Sequence, residues 1–443
     1  MKPTRREVVA SLAVAGFAAA LDPVTAWTQE TTPALRVNAD RLRAHLEALS
    51  VYGRPAGGSF ADGVSRTAYS DADVPGRQYV MGLMRDAGLD PRVDTGGNIH
   101  GMRKGSDASL PAILFGSHID SVPSGGNFDG DVGSLGALEV VQTLQEHGVE
   151  TRHPLHYVIW QNEEGGLVGS SIAAGELPAS GLQRVASSGL TVEQGIRKIG
   201  GDPSRLAEAR MAKGSHRAYL ELHIEQGGNL DKAGIPIGVV DGIVSIDEYD
   251  VTIRGFANHA GTTPMPERRN ALLAAAKLVE AVQQIMTAEP GRQVGTVGHM
   301  EVSPNARNIV PGLVKCTVEL RDLSDTKIAA LGERIKARAQ QIASETGTTI
   351  EMDKVENDPP AMATPEIQKM IENAASSLGL KTMHLPSGAG HDAQMMARLG
   401  PMGMIFVPSV AGISHSPKEL SRWQDCANGA NVLMHTILAL DRT

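Results

Sequence analysis

The stretch Gly116-Ser-His-Ile-Asp-Ser-Val122, followed directly by Pro123-Ser-Gly-Gly-Asn-Phe-Asp-Gly-Asp131, joins an apolar run to a glycine-rich loop. The run at 111–115 is typical of a buried strand, and His118 follows it. Asp120 is placed to accept the second N–H of that imidazole, which would fix the metal-binding tautomer. The loop then supplies Asp129, a carboxylate able to lie between two cations. Taken alone, a His-x-Asp pair is more often two ordinary polar residues at a strand end, so metal binding must be judged from the rest of the chain.

Length and composition favour a globular protein with more than one domain. The 443 residues can form two domains with separate cores. Hydrophobic residues make up 41 %, and the formal net charge is −9, with no strong basic block past the N-terminus. This pattern does not indicate a nucleic-acid surface. The two cysteines, Cys316 and Cys426, are too few and isolated for a disulfide framework or a thiolate metal site, and are interpreted as small buried hydrophobes.

The N-terminus resembles a twin-arginine export signal. Thr4-Arg-Arg-Glu-Val-Val9 precedes an apolar run at 8–20, and Val24-Thr-Ala26 offers a small-residue cleavage site. The apolar run is too short to be a permanent membrane span. We therefore expect residues 1–26 to be a signal peptide and the mature protein to be periplasmic or exported. The alternative is an amphiphilic N-terminal helix.

The first half of the chain alternates strands with helices, which predicts an α/β fold on a largely parallel sheet. In such sheets, ligands gather where the carboxyl ends of strands meet loops. The segment 165–215 is helix-rich and hard to assign. The predicted helices lie at 38–49, 76–87 and 132–145, and the predicted strands at 92–103 (two strands and a turn), 111–115 and 155–160.

From about residue 244 the pattern changes to strand–helix–strand–strand–helix–strand. This predicts a smaller α/β sandwich inserted into the first domain. We therefore expect an inserted domain at 244–360 between two parts of a catalytic domain, at 36–243 and 361–443.

Three further motifs place polar residues after apolar strands. Gln161-Asn-Glu-Glu-Gly165 contains Glu163 and Glu164, and neighbouring side chains diverge, so one carboxylate can bind a metal while the other faces a water. Leu222-His-Ile-Glu-Gln-Gly227 supplies His223, and Gly412-Ile-Ser-His-Ser-Pro-Lys-Glu419 supplies His415. Each histidine alone is more often a satisfied polar residue than a ligand. A set of such residues at the strand ends of one α/β layer indicates a metal centre.

The motifs and their order along the chain resemble those of the amidase/hydantoinase/carbamoylase branch of the di-zinc aminoacylase and carboxypeptidase superfamily. The resemblance extends from about residue 38 to the C-terminus. That branch includes N-carbamoyl-L-amino acid hydrolases and allantoate amidohydrolases. The resemblance implies an exopeptidase-like catalytic domain with an inserted lid and dimerisation domain. It also implies that Asp129 bridges two divalent metals, one held by His118 and His223 and the other by Glu164 and His415. Nitrogen and oxygen ligands without thiolates suit Zn²⁺, with Mn²⁺, Co²⁺ or Ni²⁺ as alternatives.

The resemblance implies further roles. Glu163 would be the general base, the alternative being a partner that only orients a ligand. His259, in Phe256-Ala-Asn-His259, would help to stabilise the oxyanion, and in dimeric relatives this histidine can reach the partner subunit's site. Asn308 and Arg321 would hold the substrate's carboxylate, although Arg321 is also compatible with a surface ion pair. Gly388-Ala-Gly-His391 resembles a substrate-side loop.

The predicted function is hydrolysis of an N-carbamoyl-L-amino acid or a similar small N-substituted amino acid by a di-metal homodimer that associates through the inserted domain. An aminoacylase or dipeptidase with the same mechanism is the alternative. Some allantoate-cleaving relatives have a glutamine where this chain places Ile246, which weakens allantoate and favours a less polar side chain. A non-catalytic periplasmic solute-binding protein is disfavoured because the ligand set and the base are both complete.

Overall fold

The secondary structure alternates as expected and is divided between two main sheets. The computed structural model describes residues 35–443, of which 36–443 form one compact unit. The strands are β1 (Arg92–Val93), β2 (Ile99–Arg103), β3 (Ala112–His118), β4 (Leu155–Trp160), β5 (His216–Ile224), β6 (Ile237–Ile243), β7 (Ser245–Arg254), β8 (Asn258–His259), β9 (Val294–Thr296), β10 (Met300–Ser303), β11 (Ile309–Val310), β12 (Leu313–Asp322), β13 (Thr349–Asp358), β14 (Ala361–Met362), β15 (Thr382–Ser387) and β16 (Met402–Val407). The α-helices are α1 (Ala39–Leu49), α2 (Asp73–Asp86), α3 (Asp131–Glu146), α4 (Val168–Ala174), α5 (Val192–Lys198), α6 (Asn229–Ala233), α7 (Ala271–Ala288), α8 (Asp325–Thr346), α9 (Pro365–Ser377), α10 (Asp392–Met396) and α11 (Trp423–Leu440).

The larger sheet has nine strands, and its centre is parallel. The strand order is β1-β2-β4-β3-β5-β16-β6-β14, with β15 paired to β6. Strands β4, β3, β5 and β16 are neighbours and run parallel, so their carboxyl ends share one edge. The α/β prediction is confirmed. The sheet is mixed, however. At one side, β1 pairs antiparallel to β2 and β2 pairs antiparallel to β4. At the other side, β6 pairs antiparallel to β16 and β14 but parallel to β15.

The helices of this part follow from local sequence signals. Asn38 caps α1 by accepting the N–H of Arg41, and α1 buries one apolar stripe formed by Leu42, Leu46 and Leu49. Helices α3 and α11 pack against each other and against β5. Apolar residues of β3, β4 and β5 form a core with residues of α4 and α10. This packing holds the central strands in place.

A buried arginine fastens the loop that follows β3. The Arg66 guanidinium donates to the carbonyls of Leu49, Tyr52 and Ile119 and pairs with the buried carboxylate of Asp131. A buried charge must be paired and hydrogen-bonded to be tolerated. Arg66 therefore ties α1 and the following turn to both ends of the loop that carries Asp129.

The smaller sheet is antiparallel and carries two helices. Its order is β10-β12-β7-β13, with β9 also paired to β12. One apolar core joins these strands to α7 and α8. Between α7 and β12 the chain forms two short strands, β9 and β10. A two-stranded ladder of β8 and β11 was not predicted, because each contributes only two residues.

The remaining predictions on organisation have different outcomes. The predicted signal peptide, 1–26, lies outside the described residues. The domain boundaries stay a prediction, supported by the separate core of the smaller sheet. Among the described helices, α7 is the one whose length and composition would allow a membrane crossing. Its buried face belongs to the core of the smaller sheet, as expected of an ordinary core helix.

Candidate metal centre

Four neighbouring strands deliver the predicted ligands to one edge of the larger sheet. His118 is the last residue of β3 and lies opposite Trp160, the last residue of β4, after which Glu163 and Glu164 follow. His223 is near the end of β5, opposite Phe406 of β16. His415 follows β16 after a short turn. The parallel order of these strands explains why residues so far apart in sequence meet.

Asp129 lies at the centre of the cluster. Its Oδ1 is 3.1 Å from His223 Nε2 and 3.6 Å from His118 Nε2. Its Oδ2 is 3.3 Å from His415 Nε2, which is also 3.5 Å from Glu164 Oε2. The side chains thus form two candidate metal-binding groups that share Asp129, His118–Asp129–His223 and Asp129–Glu164–His415. This is the grouping that the resemblance implied.

The backbone of the Asp129 loop is held by a second carboxylate. Glu419 accepts the N–H groups of Phe128 and Asp129, each at 3.0 Å, and Ser414 Oγ lies within hydrogen-bond distance of both carboxylates. Gly130 has φ +67°, and a Cβ there would lie 2.4 Å from the His118 ring. Only glycine fits this contact, so the loop can turn directly beneath the imidazole.

The imidazoles are oriented by backbone carbonyls. His118 Nδ1 lies 3.0 Å from the carbonyl oxygen of Asp120, and His223 Nδ1 lies 2.9 Å from that of Ile224. If each Nδ1 donates, each Nε2 presents a lone pair towards Asp129. Asp120 is therefore the residue beside His118 Nδ1, as predicted, but it contributes its main-chain carbonyl, and its carboxylate is 3.9 Å from that nitrogen. It accepts the N–H groups of Glu163 and Glu164 and so positions that pair.

The charges of the cluster suit a bound cation. Burial raises the pKa of Glu163 well above its usual range and that of Glu164 to about 7. The hydrogen bond to Asp129 raises the pKa of His415 to about 9. Burial opposes ionisation of Asp129, but its hydrogen bonds from the histidines hold its pKa well below the usual value. Within residues 35–443, Glu164 Oε1 is buried without a hydrogen-bond partner. These nitrogen and oxygen donors fit divalent metals, which would offset the buried negative charge.

A cavity of about 750 Å³, here called the central cavity, opens beside the cluster. Asp129, Glu163, Glu164, His415, Arg321 and Ile246 are among the residues that line it. Arg321 Nε donates to Glu319 and its Nη1 to the carbonyl of Gly388, both at 2.7 Å. The predicted base and the predicted carboxylate-binding arginine therefore face one cavity, and so does Ile246.

Two predicted residues lie away from the central cavity. His259 belongs to β8 and Asn308 directly precedes β11, and these two strands pair with each other. Both side chains are exposed, and His259 Nδ1 accepts the N–H groups of Gly261 and Thr262. Neither residue lines the central cavity within one chain.

Two residues of the centre were not assigned a role from the sequence. Gln226 donates from Nε2 to Asp129 Oδ2 at 2.8 Å, and the ring of the buried His391 lies 4.4 Å from that of His223, centroid to centroid. Gln226 lies in the motif of His223, and His391 closes the Gly388-Ala-Gly loop. Their motifs were therefore visible, but their contacts depend on how β5, β15 and β16 come together.

Comparisons with known proteins place this chain among hydrolases. The model of peptidase family M20/M25/M40 matches residues 114–439. An N-carbamoyl-L-amino acid amidohydrolase of Geobacillus stearothermophilus is 38 % identical over 409 residues, which cover 91 % of this chain and 99 % of that protein. A ureidoglycolate hydrolase of Arabidopsis thaliana is 36 % identical over 423 residues, 92 % of this chain and 87 % of that protein. The crystal structure of a hydantoinase/carbamoylase-family amidase from Burkholderia multivorans has a TM-score of 0.84 and 36 % identity, covering 92 % of this chain and 99 % of that one.

The ligand assignment predicts how two substitutions affect metal content. His118→Ala and His415→Ala should each lower the metal bound per chain, because each removes one donor from a different group. His299→Ala is a matched control, because His299 is an exposed histidine between β9 and β10 and belongs to neither candidate metal-binding group. Elemental analysis of the purified variants measures the metal. Full metal content in both cluster variants would contradict the assignment.

Proposed function

This chain belongs to peptidase family M20/M25/M40, and from that premise we propose that it is a metal-dependent amidohydrolase that cleaves the linear C–N bond of N-carbamoyl-L-amino acids. The observation that carries the proposal is the cluster around Asp129, with a separate carboxylate, Glu163, beside it and a guanidinium, Arg321, in the same cavity. The similarity to N-carbamoyl-L-amino acid amidohydrolases over most of the chain supports the substrate class.

Two divalent ions are the proposed cofactors. His118, Asp129 and His223 would hold one, and Asp129, Glu164 and His415 the other. The donors are imidazoles and carboxylates without thiolates, which suits Zn²⁺ and is compatible with Mn²⁺, Co²⁺ or Ni²⁺. When bound, such a pair polarises the substrate carbonyl and lowers the pKa of water.

Glu163 is the proposed general base. Its Oε2 lies 3.7 Å from His118 Nε2, and its backbone is fixed by the Asp120 carboxylate. Burial raises the pKa of Glu163, which makes it a stronger base than an exposed carboxylate. Glu163 would take the proton of the attacking water and deliver it to the departing nitrogen.

Arg321 and Asn308 are proposed to bind the substrate's carboxylate, and His259 to stabilise the oxyanion. Nε of Arg321 donates to Glu319 and Nη1 donates to the carbonyl of Gly388, so a carboxylate that displaces this carbonyl can be bound at the edge formed by Nη1 and Nη2 with two hydrogen bonds. A fixed carboxylate orients the scissile carbonyl towards the metal cluster, and a histidine donor would stabilise the charge that develops on its oxygen.

A homodimer would bring His259 and Asn308 to the site. Within one chain both lie outside the central cavity, on the exposed ladder of β8 and β11. A second cavity of about 1040 Å³ adjoins the cluster and shares Gln226, Ala389 and His415 with the central cavity. We place the partner's inserted domain at this opening. Export of the protein through the twin-arginine-type segment at 1–26 is part of the proposal and rests on the sequence alone.

The substrate is tested with matched N-carbamoyl, N-formyl, N-acetyl and dipeptide derivatives of one L-amino acid. The metal-replete protein should release equimolar ammonia and amino acid from the carbamoyl compound, with both products quantified together. Release of amino acid without ammonia, from the acetyl compound or the dipeptide alone, would contradict the substrate class. The protein would then be an aminoacylase or dipeptidase with the same centre.

Glu163→Gln should abolish most turnover and retain the metals. The amide keeps the shape but cannot take a proton, so a fall in kcat on the order of 10²- to 10⁴-fold is expected. Glu164→Gln is the matched control at the neighbouring glutamate. It should lower the metal content as well as the activity, because Glu164 belongs to a candidate metal-binding group. Steady-state rates and elemental analysis on the same preparations separate the two roles. An unchanged rate in Glu163→Gln would exclude it as the base.

The shared site predicts complementation between two inactive variants. Glu163→Gln and His259→Ala, each inactive alone, should recover activity when they are unfolded and refolded together. Random pairing makes half of the dimers hybrids with one intact site each, so about a quarter of the wild-type rate is expected. Refolding each variant alone is the control. No recovery in a mixture that contains hybrid dimers would contradict the contribution of His259 in trans.

A further inference from the structure

Arg184 presents an unpaired guanidinium to the central cavity. It lies in the segment between α4 and α5, and its exposed side chain lines the cavity together with Glu163 and Glu164. In the part of the chain that the structure describes, its guanidinium makes no hydrogen bond or ion pair. A guanidinium carries five N–H donors, and one that lies beside a binding site without an acceptor partner is available to an anionic ligand.

The other two arginines of the cavity already have partners. Arg321 donates to Glu319 and to the Gly388 carbonyl. Arg398 forms an ion pair with Glu176 at 2.9 Å. Arg184 is therefore the cavity arginine whose charge is not offset by a neighbouring carboxylate.

Arg184 lies close to the candidate metal ligands. A Cβ on Gly166, two residues after Glu164, would lie 2.9 Å from both Nη1 and Nη2 of Arg184, so the guanidinium packs closely against this glycine. The main chain of Arg184 is anchored, since its carbonyl accepts the N–H of Val192 at 2.9 Å and its N–H donates to Gly181. Glycine at 166 thus leaves the space that the guanidinium occupies.

We propose that Arg184 binds a second carboxylate of the substrate, so that the preferred substrates are N-carbamoyl derivatives of the acidic amino acids, aspartate and glutamate. The inference rests on the proposed function, in which Arg321 takes the α-carboxylate. A substrate with a neutral side chain has one carboxylate and would leave Arg184 without a partner. Ile246 and Leu167 line the same cavity and offer apolar contact for the methylene groups of an acidic side chain.

The test compares N-carbamoyl-L-glutamate with N-carbamoyl-L-glutamine, which is nearly the same size but lacks the second charge. The metal-replete wild-type protein should have the higher kcat/KM for the glutamate compound, by tenfold or more. Arg184→Met should lower kcat/KM for the glutamate compound on the order of 10- to 100-fold, as expected for a lost charge-assisted hydrogen bond, and change that for the glutamine compound less than about twofold. Arg184→Lys should restore part of the loss.

The control variant is Arg197→Met, which removes an equal charge from α5, outside the cavity, where Arg197 pairs with Glu193. It should leave the preference for glutamate unchanged. Equal losses on both compounds in Arg184→Met would overturn the proposal, because Arg184 would then serve the carboxylate common to both. A wild-type protein with no preference for the glutamate compound would overturn it too.

Failure of the proposed function gives a different result. Cleavage of other N-carbamoyl-L-amino acids but of neither of these two compounds would overturn the role of Arg184. If the wild-type protein cleaves no N-carbamoyl-L-amino acid, the carbamoyl substrate class is wrong. The N-acetyl derivatives of glutamate and glutamine, and the corresponding dipeptides, then test Arg184 by the same comparison. Absence of a glutamate preference in whichever series is cleaved overturns the role of Arg184.

Discussion

The carboxylate of Asp129 is the constraint around which this protein is arranged. It is buried within 3.6 Å of three imidazoles, and two further carboxylates, the buried Glu163 and the partly buried Glu164, lie in the same cluster. Grouping like charges away from water is costly unless cations and hydrogen bonds offset them. The surrounding structure supplies the hydrogen bonds, through Glu419 and Ser414 to the Asp129 loop and through Asp120 to the glutamate pair. The two metal-binding groups would supply the positive charge.

The sheet makes this grouping possible, which is why the ligands could be predicted from the sequence. Each of His118, Glu164, His223 and His415 lies at or after the end of an apolar run that is long enough to be a buried strand. If those strands are parallel neighbours, their ends must meet at one edge. The order β4-β3-β5-β16 satisfies that condition. Local patterns therefore located the residues of the two candidate metal-binding groups, and the family resemblance predicted how they are divided between the groups.

Features that depend on pairing between distant segments could not be predicted in this way. The ladder of β8 and β11 has only two residues per strand, too few for any periodicity. The partner of His118 is a carbonyl, and a carbonyl group has no signature in the sequence. Arg184 lies in the segment at 165–215 that resisted assignment, and its closeness to the metal ligands depends on the lack of a side chain at Gly166. Such contacts come from tertiary packing.

Arg321 and Arg184, the two arginines proposed to bind substrate carboxylates, differ in the hydrogen bonds that each must lose when a substrate binds. Arg321 lies on β12 of the smaller sheet and donates to Gly388, in the loop after β15 of the larger sheet, so in the free protein it links the two sheets. A carboxylate is a stronger acceptor than a carbonyl, by roughly a factor of two, so the substrate can displace this contact, but only the difference contributes to binding. Among residues 35–443 the Arg184 guanidinium has no hydrogen-bond acceptor to give up, so a carboxylate bound there would contribute its whole interaction, less the cost of desolvating the two charges.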